Sequence, residues 1–229
     1  MNTQTLVIGF GHKAQQGKDT AVRHLVETYK DRFDIRRYGY ADAVKVEAYD
    51  ALADWRDPVW GRNVPFNYLA LPHPPSSFYG MSAESKVAWV DEHKFEPGMR
   101  PLLQFWGTDY RRNSSPFHWV SKLRQRLQDE KPQIALLSDM RFKNELYHVS
   151  SCDGYTVKLT RLGYVHDPAT ANHISETDLD GMKFDFEIQV PDGGQEQIDE
   201  LKKDAVYVFE QILEAYQPKA FTEPEEAFV

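Results

Sequence analysis

The sequence predicts an α/β fold in which a parallel sheet is covered by helices on both faces. Three observations predict it. Short apolar runs alternate with longer amphipathic segments along the chain. The run "QIALLSD" (133–139) has the unbroken apolar character of a strand buried within a sheet. The 229 residues, 41% hydrophobic and 27% charged, suit one large α/β domain or two small ones of ordinary globular composition.

Each element follows from its own pattern. "TLVIGF" (5–10) is a short apolar run that reads as the first strand. From Lys18 to Arg32, Ala21, Val22, Leu25, Val26 and Tyr29 recur at helical spacing and form one apolar face. "IRRYGYA" (35–41) reads as the second strand, and "DAVKVEAYDALADW" (42–55) as a helix with Asp42 as its N-cap. Residues 56–80 hold five prolines and several aromatics without periodicity, which predicts an inserted loop or lid. "SAESKVAWVDEH" (82–93), "MRPLLQFWGTDYRRN" (99–113) and "PFHWVSKLRQRLQDE" (116–130) read as helices. After the third strand, "RFKNELYHVSS" (141–151) is a helix, "YTVKLTR" (155–161) the fourth strand and "DFEIQV" (185–190) the fifth. Helix 194–216 places Ile198, Leu201, Ala205, Val208, Ile212 and Tyr216 on one stripe. The acidic, proline-bearing stretch 217–229 is expected to be a loosely ordered tail, leaving 1–216 as a single domain.

The bulk chemistry excludes several classes. A formal net charge of −8 argues against non-specific nucleic-acid binding. It leaves anionic substrates open, because a local cluster of Arg and Lys overrides the mean. One cysteine, Cys152, rules out an internal disulfide and any multi-cysteine metal site. No stretch approaches the roughly 18 apolar residues of a transmembrane helix, and the N-terminus lacks the pattern of a signal peptide. A reduced, cytoplasmic protein with no membrane partner is expected.

The loop between the first strand and the first helix, "GFGHKAQQGKDT" (9–20), carries the clearest chemistry. A phosphate-binding loop has Gly, four residues, then Gly-Lys-Ser/Thr. Gly17 and Lys18 match that pattern. Asp19 stands where Ser or Thr belongs, and His12 where the first Gly belongs, one place after Gly11. Backbone N–H groups at a helix N-terminus point outward and meet phosphates. Lys13, Ala14, Gln16 and Gly17 are therefore candidate ATP-binding residues, with Lys18 supplying positive charge. Asp19 can offer a carboxylate to magnesium, and Thr20 a hydroxyl one residue later. The bland alternative is a glycine turn that caps a helix. His12 requires either a tolerated unusual backbone or a bulged loop.

"GKDT" is followed in order by "ADAVK" (41–45), "LLQFWGTDYRR" (102–112), "SDMRFKNE" (138–145) and "HISETDL" (173–179). Each motif alone is weak, but the ordered set, spanning about residues 5–215, resembles the bacteriophage deoxynucleoside monophosphate kinase family. The resemblance implies a P-loop kinase fold, a three-layer αβα arrangement around a five-stranded parallel sheet with lid insertions. It also implies transfer of the ATP γ-phosphoryl group to a deoxynucleoside 5′-monophosphate, ATP and Mg²⁺ as cofactors, a host-cytoplasm location and a homodimer by analogy. Under it, "GKDT" is a normal variant of the loop; His12 and the proline-rich 56–80 segment are departures.

The residues make chemical sense for such a transfer. Two polyanions must be brought together, so fixed cations and a metal are needed, and no strong general base is. Arg100, Arg111, Arg112, Arg141 and Arg161 lie at predicted element ends. Arg141 and Arg112, with Lys18 and Asp139, are the catalytic candidates; Asp139, at the end of the third strand, pairs with Asp19 as the metal carboxylates. Asp139 as a plain cap of helix 141–151 is the competing account, and Asn144 and Glu145 either orient Arg141 or lie on the surface. Arg161 opens a segment, about 161–180, read as a lid over ATP, with Arg161 on adenine or phosphate. Gln104 and Thr108 share a helical face toward the acceptor. Trp106 and Phe105 are candidates to stack on its base, with burial in the core the alternative. Asp42, Lys45, Arg100, Arg111 and Glu176 complete the acceptor side; a surface ion pair is the alternative for Asp42 and Lys45. His173 and Glu176 have local turn hydrogen bonds as their alternative. A P-loop kinase for another small phosphorylated acceptor, such as phosphomevalonate, and a non-catalytic nucleotide-binding module are the other functional readings.

Overall fold

The computed structural model describes residues 5–53, 64, 67, 70–166, 168 and 171–216. The expected tail, twelve of the 25 positions of the proline-rich insertion and three positions of the expected lid lie outside the described residues.

Five strands, β1 (Leu6–Gly11), β2 (Ile35–Tyr38), β3 (Ile134–Met140), β4 (Tyr155–Leu162) and β5 (Phe186–Pro191), form one sheet in the order β2-β3-β1-β4-β5. Every pairing is parallel, with Ile8 opposite Leu136 on one side and Tyr155 on the other. The expected all-parallel five-stranded sheet is therefore present. Alternating strand residues feed two cores. Leu6, Ile8, Phe10 and Leu136 face α1 (Lys18–Tyr29) and α8 (Gln195–Ala215). Val7, Ala135 and Leu137 face the opposite layer, which contains α2 (Tyr40–Ala53), α3 (Ala83–His93), α4 (Met99–Gln104), α5 (His118–Glu130) and α6 (Lys143–Ser151). Helices thus cover both faces of the sheet. Among the described residues no helix is long and apolar enough to cross a membrane.

The topology fixes where a ligand belongs. After β1 the chain crosses to β2 on one side of the sheet; after the neighbouring β3 it crosses to β4 on the other. Adjacent strands whose connections leave in opposite directions open a crevice at their carboxyl ends. The loop 12–17 and the turn at Arg141–Phe142 lie at that crevice.

Three local departures from the sequence expectations matter for the site. α2 begins at Tyr40, and Asp42 is its third residue, not its cap. The capping carboxylate comes from β3: Asp139 accepts from Tyr40 N at 2.9 Å and Ala41 N at 2.8 Å. Segment 99–113 is not one regular helix, because after α4 a π-helical turn runs over Phe105–Arg112. The expected lid contains one short helix, α7 (Ile174–Thr177).

Candidate functional site

Three residues of the β1–α1 loop have positive φ: His12 at 97°, Gln15 at 57° and Gly17 at 95°. His12 thus takes the unusual conformation that a glycine normally supplies. It is held there by its N–H on the Met140 carbonyl at 3.2 Å and its Nε2 at 3.3 Å from Asp180. At Gly17, φ 95°, a Cβ would lie 2.6 Å from the Leu201 side chain of α8, so another residue would strain the backbone and displace that side chain. Gly17 caps α1 without any side chain on the first-turn amides, leaving that end for an anion.

Lys18 turns back under the loop. Its Nζ donates to the carbonyls of Lys13 and, at 3.4 Å, His12. Burial, and next the nearby Arg141 guanidinium, pull its pKa down to about 7. Gln16, also buried, ties the loop to β4: it accepts from Arg161 N at 2.6 Å and donates to Ala14 O at 3.2 Å. Arg161 itself donates to Gln15 O and pairs with Asp192. Above this loop lies a cavity of about 450 Å³ bordered by Gly17, Lys18, Thr20, Arg141 and Arg161.

A second cavity, about 420 Å³, opens beside it. Its wall is built by the α4–π segment: Arg100, Gln104, Thr108 and Arg112, each four residues from the next, all border it. In an α-helix every fourth residue drifts around the axis by about 40°; the wider i→i+5 turn drifts the other way and keeps the four on one side. Lys45, Val44 and Glu176 line it as well. Arg112 stacks 3.7 Å over the Phe142 ring and pairs with the buried Glu145. Burial raises the Glu145 carboxyl pKa, against the pull of Arg112. Glu145 also accepts from Arg141 N at 2.7 Å and Phe142 N at 3.1 Å, so this residue, not Asp139, caps α6.

The two cavities share Asp19, Asp139 and Arg141. Arg141 donates to Glu176 at 2.6 Å, and the other Glu176 oxygen accepts from Ala14 N at 2.7 Å. A loop amide and a guanidinium, both suited to a phosphate, thus converge on one carboxylate. Asp19 is exposed, while Asp139 spends a lone pair of each oxygen on α2. Two carboxylates facing one space fit magnesium, which takes one or two protein oxygens and completes its shell with phosphate and water. Among the described residues no group of three or more His, Cys, Asp or Glu side chains could hold a metal by itself.

Most sequence candidates converge on this crevice, and five do not. The Lys13 ammonium pairs with Asp180 and Phe105 packs against the core, so neither borders either cavity. Trp106 is fully buried in the core and borders neither cavity, so it offers no face to a ligand. Arg111 points away, pairing with Glu47 and lying 4.9 Å from the Trp106 ring; consecutive residues project to different sides, and Arg112 took the cleft. Asp42 is held by both oxygens at 2.7 Å from Arg37 and borders neighbouring cavities instead. Arg37 was not among the candidates; its position at the end of β2 was the available signal. Lys94 and Phe95, at the cleft mouth, were missed because they lie in an aperiodic turn. Comparison with protein-family models returned no match, and neither did comparison with curated proteins.

Proposed function

We propose that this chain is an ATP-dependent kinase for a deoxynucleoside 5′-monophosphate, forming the diphosphate and ADP. One observation carries the reading: two cavities, one floored by a phosphate loop, meet at Arg141 and the Asp19–Asp139 pair. A donor and an acceptor polyanion placed there face each other across a shared cation. The choice of a deoxynucleotide acceptor rests on the ordered motifs of the sequence.

Loop amides and Lys18 grip the β and γ phosphates. Arg112, Arg100 and Lys45 receive the acceptor. Arg141 bridges the two, moving from Glu176 onto the transferring group as charge develops there. An acceptor phosphate oxygen attacks the γ phosphorus, and the bond to the β–γ bridging oxygen breaks, leaving ADP. That oxygen is already anionic, so no base is required. Magnesium, when bound, is held by Asp19 and Asp139 and neutralises phosphate charge.

The test is an ADP-release assay with Mg-ATP against ribo- and deoxynucleoside monophosphates, with phosphomevalonate included. ADP formation dependent on a deoxynucleotide, abolished by chelator, is expected. Turnover on phosphomevalonate alone moves the acceptor class, and nucleotide binding without turnover on any acceptor makes the chain a binding module.

A further inference from the structure

Between α3 and α4 the chain turns through Lys94, Phe95, Glu96, Pro97 and Gly98. Gly98 has φ 84°, and a Cβ there would lie 3.0 Å from the Leu71 side chain, so the end of the turn packs closely against Leu71. Its tip is not covered. Phe95 is 83% exposed, with the Lys94 ammonium 5.3 Å from its ring centre. A single exposed aromatic is commonplace; this one is set apart by position, because it borders both cavities of the crevice.

The other aromatics of the acceptor-side cavity are committed. Tyr40 is buried with its hydroxyl 2.8 Å from His148 Nδ1. Trp119 is fully buried and donates to Gly107 O at 2.8 Å. Phe142 has Arg112 over its ring. Lys94 and Arg100, flanking Phe95 in sequence, border the acceptor cavity and not the triphosphate one. The cation beside the ring therefore faces the acceptor.

We propose that Phe95 stacks on the planar base of the acceptor nucleotide, with Lys94 beside its phosphate, so that the turn closes the cavity mouth over bound acceptor. This rests on the nucleotide-kinase reading above. An exposed ring covered by a base gains contact and loses water at once, and such stacking tolerates different bases.

The experiment measures binding by calorimetry, without turnover. The probes are the four deoxynucleoside monophosphates, 2-deoxyribose 5-phosphate, which lacks a base, and a non-hydrolysable ATP analogue. Phe95→Ala and Phe95→Trp are compared with wild type; exposure of the side chain keeps both folded. Phe95→Ala is expected to weaken the monophosphates by about tenfold or more while shifting 2-deoxyribose 5-phosphate and the ATP analogue by less than about twofold, with Phe95→Trp restoring affinity. Unchanged monophosphate affinity, an equal loss on the base-free phosphate, or a loss confined to the ATP analogue would each overturn the stacking role. Base-selective loss in a protein whose wild type makes no ADP would instead overturn the kinase reading and leave the stacking contact standing. A wild type that binds no monophosphate overturns both.

Discussion

The Lys18 ammonium sits against loop carbonyls with almost no water, and its pKa falls to about 7 from an ordinary 10.5. The sign of the consequence is fixed. A lysine harder to protonate folded than unfolded costs the ligand-free fold nothing above the unfolded value. The cost grows as pH falls and is complete below the folded value. Removing the charge should therefore stabilise the empty protein at neutral pH while removing the grip on phosphate. Lys18→Met is expected to raise Tm, by roughly 2–4 °C per kcal/mol relieved, and to abolish ATP turnover; a melting curve and an ADP assay check the two. A bound triphosphate returns the ammonium to favour, so binding between pH 7 and 10.5 should take up protons. Calorimetry in buffers of different ionisation enthalpy reads that uptake. At Arg141, which lies between the cavities, Arg141→Ala should lower turnover on the order of 10³-fold and also lower Tm, because the buried Glu176 loses its cation. Steady-state kinetics beside a melt separate the two effects.

At the scale of elements, the sequence disclosed strands and helices but not how one element finishes another. Apolar runs made β1 and β3 legible, and apolar stripes did the same for α1 and α8, because burial leaves its period in the residues. The cap of α2 was not legible. Asp42 has the composition of an N-cap, yet Asp139, distant in sequence, holds the helix start, and Asp42 answers Arg37 instead. Such a partner is set by strand order, which composition does not encode. The π turn is hidden as well: within it Gly107 packs closely on α2, where a Cβ would lie 3.2 Å from Val44. This arrangement gives Asp139 two tasks. Asp139→Ala should cost about 1–2 kcal/mol of stability through the lost cap, read by denaturant unfolding, and should also raise the magnesium concentration needed for activity.

Over the whole molecule, the crevice is a property of strand order, and the order required the third dimension. Alternation of elements predicted a parallel sheet, but it is the adjacency of β1 and β3 in the order β2-β3-β1-β4-β5 that puts the loop after β1 beside the turn after β3. The loop itself was legible from Gly17 and Lys18. The pairings of Arg112 with Glu145 and of Arg141 with Glu176 were not, since separate segments supply the partners. Because the site stitches both layers together, a ligand bound there should stabilise the fold as a unit. A non-hydrolysable ATP analogue at about 100 times its Kd should add about 2.7 kcal/mol, seen as a single shifted melting transition that Lys18→Met does not show.

The close approach of Gly17 to Leu201 ties the turn before α1 to α8. During synthesis the glycine turn leaves the ribosome long before α8 exists to support it. The nascent chain therefore carries this turn without its Leu201 support until α8 has emerged. A chain cut short before residue 195 would keep Gly17 and Lys18 in its sequence while losing the surface against which the turn packs.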